Sequence, residues 1–246
     1  MANAPSHRLI VLPHLIKFIP RKATSGDKIA VYAFDLDHTI IQPNSGRFSR
    51  TMDDWKFMSF TKEYNTLDKL FEIMERDKNA HIVVFSNQGG VVTVPETSKS
   101  CTKYTGKLKL ILEVIAKKQK EMQSSTDESD KDIERPRLSD RLWIYASPKK
   151  PASLLKQNKQ PIGKVLKNTV HSKLNKSYIL PELFERMRKP NIGMFEEFCR
   201  DLSRETVSVK YYCGDAAGRP SDFSDSDKKF AEGLKVEFKL PEDIFS

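Results

Sequence analysis

An α/β fold built on a doubly wound, mostly parallel sheet is predicted by three features of the 246-residue sequence. Apolar, β-rich runs recur at residues 29–34, 81–86, 141–146, 207–213 and 234–239. Stretches with helical periodicity lie between them, and strands alternating with helices make βαβ units with right-handed crossovers. Polar and acidic groups stand just past the carboxyl ends of the runs, where sheets of this kind hold ligands near the topological switch point. With 38% apolar residues the chain suffices for one such domain, so a single domain over residues 1–246 is expected.

The elements follow in order. Residues 8–20, RLIVLPHLIKFIP, read as two β-prone runs broken by Pro13, a ribbon at a sheet edge. The run IAVYAF leads into Asp35 and Asp37, with His38 and Thr39 beside them. Leu67, Leu70, Phe71 and Met74 keep the i, i+3, i+4, i+7 spacing of a helix, as do Leu108, Ile111, Leu112 and Ile115. Between those helices HIVVFS ends in Ser86 and Asn87, followed by Gln88, Gly89 and Gly90. Residues 117–140 are almost wholly polar with mixed charge and no apolar face, and are expected to form a flexible surface loop. After the third run, residues 148–178 form a basic, loop-like segment with Lys149, Lys150, Lys156, Lys159, Lys164, Lys167, Lys173 and Lys176. Phe195, Phe198 and Leu202 mark a third helix, preceded by Lys189, and VSVKYYC ends in Gly214 and Asp215. Residues 234–239, LKVEFK, are expected as the last strand.

Charge and cysteine usage narrow the class. Lys and Arg number 42 against 33 Asp and Glu, a formal charge of +9 that suits an anionic partner such as nucleic acid. Three cysteines, Cys101, Cys199 and Cys213, are odd in number and lack C-x-x-C pairs, which excludes a disulfide framework or a zinc site of ordinary spacing. No stretch reaches the roughly 18 continuous apolar residues of a membrane span. The first 26 residues carry His7, Arg8, Lys17, Arg21 and Lys22 without an acidic residue, a composition compatible with mitochondrial targeting.

The strand ends carry the chemistry. Fold geometry gathers two aspartates, a serine, a lysine and a further aspartate at one rim of the sheet, the set that phosphoryl transfer through an aspartate requires. A phosphomonoester carries roughly two negative charges, so an anionic nucleophile needs shielding from it. Mg²⁺ held by carboxylates gives that shielding. One carboxylate attacks phosphorus, a second manages the protons, and hydroxyl and ammonium groups hold the equatorial oxygens. D-x-D-x-T alone is a weak signal. Its order with Ser-Asn, Lys and Gly-Asp, each after a strand or before a helix, is a strong one.

The set DLDHT, FSN, RKP and GD resembles the four motifs of the haloacid dehalogenase superfamily of phosphatases. More narrowly, FDLDHTI, SGRF, DW, FSNQGG, RKPNIGM and GDAAGRPSDFSDSD resemble the 3′-phosphatase domain of the polynucleotide kinase/3′-phosphatase family, in its stand-alone fungal form, over most of residues 8–246. The resemblance implies a haloacid dehalogenase-type sheet, and the span of about 50 residues between the first two motifs leaves no room for a large cap domain. It implies Asp35 as nucleophile and Asp37 as general acid and base. Ser86, Asn87 and Lys189 would bind the phosphate, and Mg²⁺ would be held by Asp35, the backbone carbonyl of Asp37, and Asp215. Asp222 and Asp227 would orient metal waters or Lys189. The superfamily's commonest first motif has Gly where His38 stands; His38 is expected to be a local packing or polar-contact residue. The family's kinase half needs G-x-x-x-x-G-K-[ST], which does not occur, and no length is left for it.

An open site suits a polymer end and a basic chain suits a DNA backbone, and the resemblance implies DNA carrying 3′-phosphates at nicks, gaps and breaks. Arg47, Arg188 and Arg219 are the expected strand contacts. Trp55 is expected in the core, with base stacking as the alternative. A monomer without a membrane partner, mainly nuclear with a minor mitochondrial fraction, completes the expectation. Two rivals are a phosphoserine protein phosphatase of the D-x-D-x-T type, whose last motif is a paired Asp-Asp, and a catalytically silent DNA-binding scaffold.

Overall fold

In the computed structural model, residues 5–22, 28–46, 48–124, 137–152, 180–203 and 207–246 are described. Arg47, residues 125–136 of the polar segment and residues 153–178 of the basic segment lie outside that set.

Seven strands form the main sheet in the order β1-β2-β7-β6-β3-β8-β9. Its centre is parallel: β3 (Ala30–Phe34) pairs with β6 (Ala80–Gln88) on one side and β8 (Ser208–Cys213) on the other. Next to β6 runs β7 (Leu142–Pro148), and next to β8 the two-residue β9 (Phe238–Lys239), both parallel to their neighbours. The ribbon expected near the N-terminus is the antiparallel hairpin β1 (His7–Leu12) and β2 (Leu15–Pro20), which turns at Pro13 and His14 and docks on β7.

β3 and β6 are covered on both faces, so they read as continuous apolar runs rather than alternating ones. Alternation still sorts their side chains between two cores. Ile82 and Val84 face one core, with helix α1 (Thr66–Arg76), helix α2 (Lys99–Ser124) and Phe245 of α7 (Pro241–Phe245). Val83 and Phe85 face the other, with Met187 of α4 (Pro181–Met187), Phe198 of α5 (Gly193–Asp201) and Phe230 of α6 (Ser226–Leu234). The chain leaves β3 towards β6 first and reaches β8 on the opposite side later. The carboxyl end of β3 is therefore the switch point, and Asp35 follows directly.

Two expectations are corrected. α2 continues to Ser124, with Gln119 buried, and Leu138–Arg141 form a short helix, α3, so both ends of the 117–140 segment are helical. The run at 234–239 shrinks to β9 because α6 extends through Leu234 and Lys235 then takes a left-handed conformation (φ 57°) that ends the helix. Between β3 and α1 the described residues hold only the small ribbon of β4 (Ile41–Gln42) and β5 (Lys56–Phe57). Trp55 is half-buried there, packed on the first core and edge-on to Phe57 at 5.5 Å.

His81 lies at the start of β6, 3% exposed, and its Nδ1 accepts a hydrogen bond from Trp143 Nε1 at 3.2 Å. Burial, aided by the charge of Arg141, lowers its pKa to about 4. The unfolded chain therefore takes up a proton at this position near pH 6.5 while the folded chain does not. Stability is full above that pH and is lost as pH falls towards 4, by up to about 3 kcal/mol. Thermal unfolding from pH 7 to 4.5 should show this acid loss, and His81→Asn, which keeps an acceptor for Trp143, should reduce it by roughly 5 °C. An unchanged pH slope in the variant would place the acid sensitivity elsewhere.

Candidate active site

Asp35 extends the parallel ladder by one bond, its N–H donating to the Cys213 carbonyl at 2.8 Å. That bond holds its carboxylate between β3 and β8 at 7% exposure. The chain then turns tightly: Ile40 and Ile41 N–H both donate to the Leu36 carbonyl, and His38 N–H to that of Ile41. His38 takes φ 62°, a conformation glycine adopts at no cost, which explains why glycine is the common residue at this point of the motif. His38 is exposed, so of the two roles expected for it packing is excluded and polar contact is left.

Opposite Asp35 stands Lys189, 4% exposed. Its three ammonium protons meet three acceptors: Asp35 Oδ1 at 2.5 Å, Asp227 Oδ1 at 2.7 Å and Tyr212 Oη at 2.8 Å. Tyr212 in turn donates to Asp227 Oδ1 at 2.9 Å. The Lys189 backbone is clamped by Asn87, whose Oδ1 accepts the Lys189 N–H at 2.9 Å and whose Nδ2 donates to its carbonyl at 3.0 Å. The Asn87 amide thus engages the Lys189 backbone with its oxygen and one of its two N–H groups, so this side chain positions Lys189. Burial works against the Lys189 charge, but Asp227 and Asp35 outweigh it and hold its pKa above the ordinary value.

Burial pushes the Asp35 carboxyl well above the usual range; Lys189 opposes this, and the charges of Asp227 and Asp215 add to it. Asp215, half-buried, is raised by burial and by Asp227, with His38 and Lys189 pulling the other way. Oxygens of Asp35, Asp215 and Asp227 lie within 4.8 Å of one another. Such crowded carboxylates suit a hard divalent cation with oxygen ligands. Asp227 uses Oδ1 on Lys189 and Tyr212 and Oδ2 on the Ala216 N–H at 3.0 Å, so its carboxylate braces Lys189. Asp35 and Asp215 are the other two side chains of this candidate cluster. Among the described residues no hydrogen bond is made to the Asp37 carbonyl, the third expected ligand.

The Asp37 carboxylate points elsewhere, half-exposed, with a donor on each oxygen: Lys107 Nζ on Oδ1 at 3.1 Å and Gln88 Nε2 on Oδ2 at 2.6 Å. Gln88 Nε2 also donates to Ser86 Oγ at 2.8 Å, and Ser86 is 1% exposed. Lys107, Gln88 and Tyr212 are site residues that the sequence reading did not single out. A signal for Lys107 was present, since it sits at a core-facing position of α2 between Tyr104 and Ile111.

The remaining expected residues separate. Asp222 accepts from Ala217 N–H at 3.1 Å and Arg219 N–H at 3.0 Å and pairs with the Arg219 guanidinium, so it braces the loop after Asp215 and touches neither Lys189 nor Asp215. Arg219 also reaches Glu242 at 2.6 Å and the Asp215 carbonyl at 3.3 Å, so three of its five N–H donors are engaged within the chain while its side chain stays exposed. Arg188 is half-buried with its guanidinium against Gly89 at the rim, and no hydrogen bond or ion pair engages that guanidinium among the described residues. Asp54, of the DW pair, accepts from Asn44 N, Ser45 N and Arg50 N at 3.0, 3.0 and 2.7 Å and so fixes the loop that bears exposed Phe48. Those bonds, with that of the Ser45 hydroxyl the largest cause, lower its pKa to about 2.

A family model described as polynucleotide kinase 3 phosphatase matches residues 30–245. The chain is 48% identical over 257 residues to the polynucleotide 3′-phosphatase of Saccharomyces cerevisiae, covering 98% of this chain and 99% of that protein. It is 46% identical over 256 residues to the polynucleotide 3′-phosphatase of Saccharomyces mikatae, covering 97% and 96%. Against the bifunctional polynucleotide phosphatase/kinase of Schizosaccharomyces pombe the identity is 27% over 215 residues, covering 87% of this chain and 36% of that longer protein.

Gly214 lies so near Asp227 that a Cβ would come within 2.5 Å of its carboxylate. Gly214→Ala should therefore displace Asp227 from Lys189 and lower kcat about 100-fold in a folded protein. Steady-state kinetics beside a thermal unfolding curve check this, and full activity would mean that the Asp227–Lys189 contact is dispensable.

Proposed function

The chain belongs to the polynucleotide kinase 3 phosphatase family, and from that membership and the site geometry we propose that it removes terminal 3′-phosphates from DNA through a phosphorylated Asp35. The observation that carries the reading is the Lys189 ammonium bound 2.5 Å from Asp35 inside a cluster of carboxylates. Costly buried charge of this kind is what an aspartate nucleophile and its phosphate clamp need.

Asp35 attacks the terminal phosphorus; the P–O3′ bond breaks, and its electron pair leaves on O3′, which takes a proton from Asp37. Water then gives a proton to Asp37 and attacks the same phosphorus. The bond from phosphorus to Asp35 breaks, returning the carboxylate and releasing inorganic phosphate. All three Lys189 donors are engaged in the unliganded site, so Lys189 reaches a phosphate oxygen by exchanging one of these partners. Asp35 is the partner to be exchanged, since Asp227 and Tyr212 hold the ammonium from behind. Ser86 would take a second equatorial oxygen. Mg²⁺ held by Asp35, Asp215 and the Asp37 carbonyl would supply the positive charge that lets an anionic nucleophile meet an anionic phosphate.

A polynucleotide 3′ end as substrate is supported by the names of the relatives, and the net charge of +9 suits a DNA backbone. Its product, a 3′-hydroxyl end, is what polymerases and ligases extend or join, which fits a place in strand-break repair. Arg188, with its guanidinium at the rim beside Gly89, is in reach of a strand phosphate entering the site.

Phosphate release from a 3′-phosphorylated oligonucleotide should need Mg²⁺, and a 5′-phosphorylated oligonucleotide and a phosphopeptide should be inert. Asp35→Asn should fold yet lose at least about 10³-fold in turnover, about 4 kcal/mol; substantial residual hydrolysis would remove Asp35 as nucleophile. Arg188→Ala should weaken DNA of all sequences alike and make the plot of log affinity against log salt shallower by about 0.9. A loss that depends on sequence would contradict contact with the backbone.

A further inference from the structure

We propose that Lys107 is a positioning residue: with Gln88 it fixes the direction of the Asp37 carboxyl, so that this group faces the leaving oxygen of the substrate. The role rests on the reading of Asp37 as general acid and base.

Lys107 is the one charged side chain among the buried positions described on α2, which are otherwise apolar or, at Thr105 and Gln119, uncharged. Tyr104, Leu108 and Ile111 around it belong to the first core, whereas Lys99, Lys109, Lys117 and Lys120 of the same helix are exposed. Its side chain is 8% exposed, and its ammonium lies 5.5 Å from the centre of the Tyr104 ring. Burying an ammonium is costly, and a methionine of similar length fills such a space without that cost. A buried ion pair rarely adds net stability over apolar packing. Asp37 does not need the pair for its own solvation, because its side chain is 31% exposed. What Lys107 does supply is direction, across 70 residues of sequence.

Lys107 holds Oδ1 and Gln88 holds Oδ2, so the carboxyl plane is fixed at two points. Gln88 spends its other amide proton on Ser86, two residues earlier on the same face of β6. The group that serves the leaving oxygen is thereby tied to the group that faces the phosphate. Free rotation of Asp37 would break that registry, and a displacement of about 1 Å in such a group costs on the order of 100-fold.

The test compares kcat/KM on two oligonucleotides, one ending in an ordinary 3′-phosphate and one whose terminal phosphate is joined through sulfur in place of O3′. A thiolate leaves without being protonated, so the second substrate does not call on the acid. Lys107→Met should lose about 100-fold on the oxygen-linked end and less than about threefold on the sulfur-linked one. Lys107→Gln serves as the second variant should the first fail to fold, and Asp37→Asn is the reference. The split in Asp37→Asn and in the Lys107 variant supports the proposal. The split in Asp37→Asn alone, with the Lys107 variant equally slow or equally fast on both ends, overturns it while leaving Asp37 in its role. No split in Asp37→Asn overturns the acid assignment, and the proposal falls with it.

Discussion

The Lys189 ammonium sits in the protein interior against Asp35, Asp227 and Tyr212, and three separate parts of the fold must converge to place it there. β3 delivers Asp35, β8 delivers Tyr212, and the first turn of α6 delivers Asp227. The segment between α4 and α5 brings Lys189 itself, held at the end of β6 by Asn87. A parallel sheet with its switch point at β3 makes this possible, because all three strand ends open on the same rim. An ammonium so buried would be expelled without its anions, and the anions would be protonated without it.

That mutual dependence explains several local choices. Gly214 has no side chain because the Asp227 carboxylate fills the space where a Cβ would stand. Asp222 and Arg219 are bound to each other and shape the loop that follows Asp215. Asp35 and Asp215 both have raised pKa values, burial being the largest cause, so a divalent cation at this rim competes with protons for the same oxygens. Asp37 stands apart from that cluster, with its own ammonium from α2 and its own amide from β6.

The layout of the sheet was legible because buried parallel strands are short apolar runs, and Asp35, Ser86 and Asp215 follow three of them. Lys189 was legible from its motif and its place before a helix. What the sequence hid was side-chain direction. Asn87 and Ser86 are adjacent on β6, so their side chains leave opposite faces, and only Ser86 faces Asp37. The partners of Lys107 and Tyr212 are 70 and 23 residues away: the helical pattern marks Lys107 as core-facing, but no local pattern shows which group either residue meets. The last strand was overread because Val236 and Phe238 look β-prone while the left-handed Lys235 ends a helix just before them.

The central claim is that Asp35, released from Lys189, takes the phosphoryl group onto its own carboxylate. Mixing the enzyme with an oligonucleotide labelled in its 3′-phosphate, quenching with acid within a turnover and mapping the peptides tests it directly. The account predicts label on the peptide that contains Asp35, bound through an acyl phosphate that alkali removes. Label on a different peptide, or phosphate release at the full rate with no label on the protein, would contradict it.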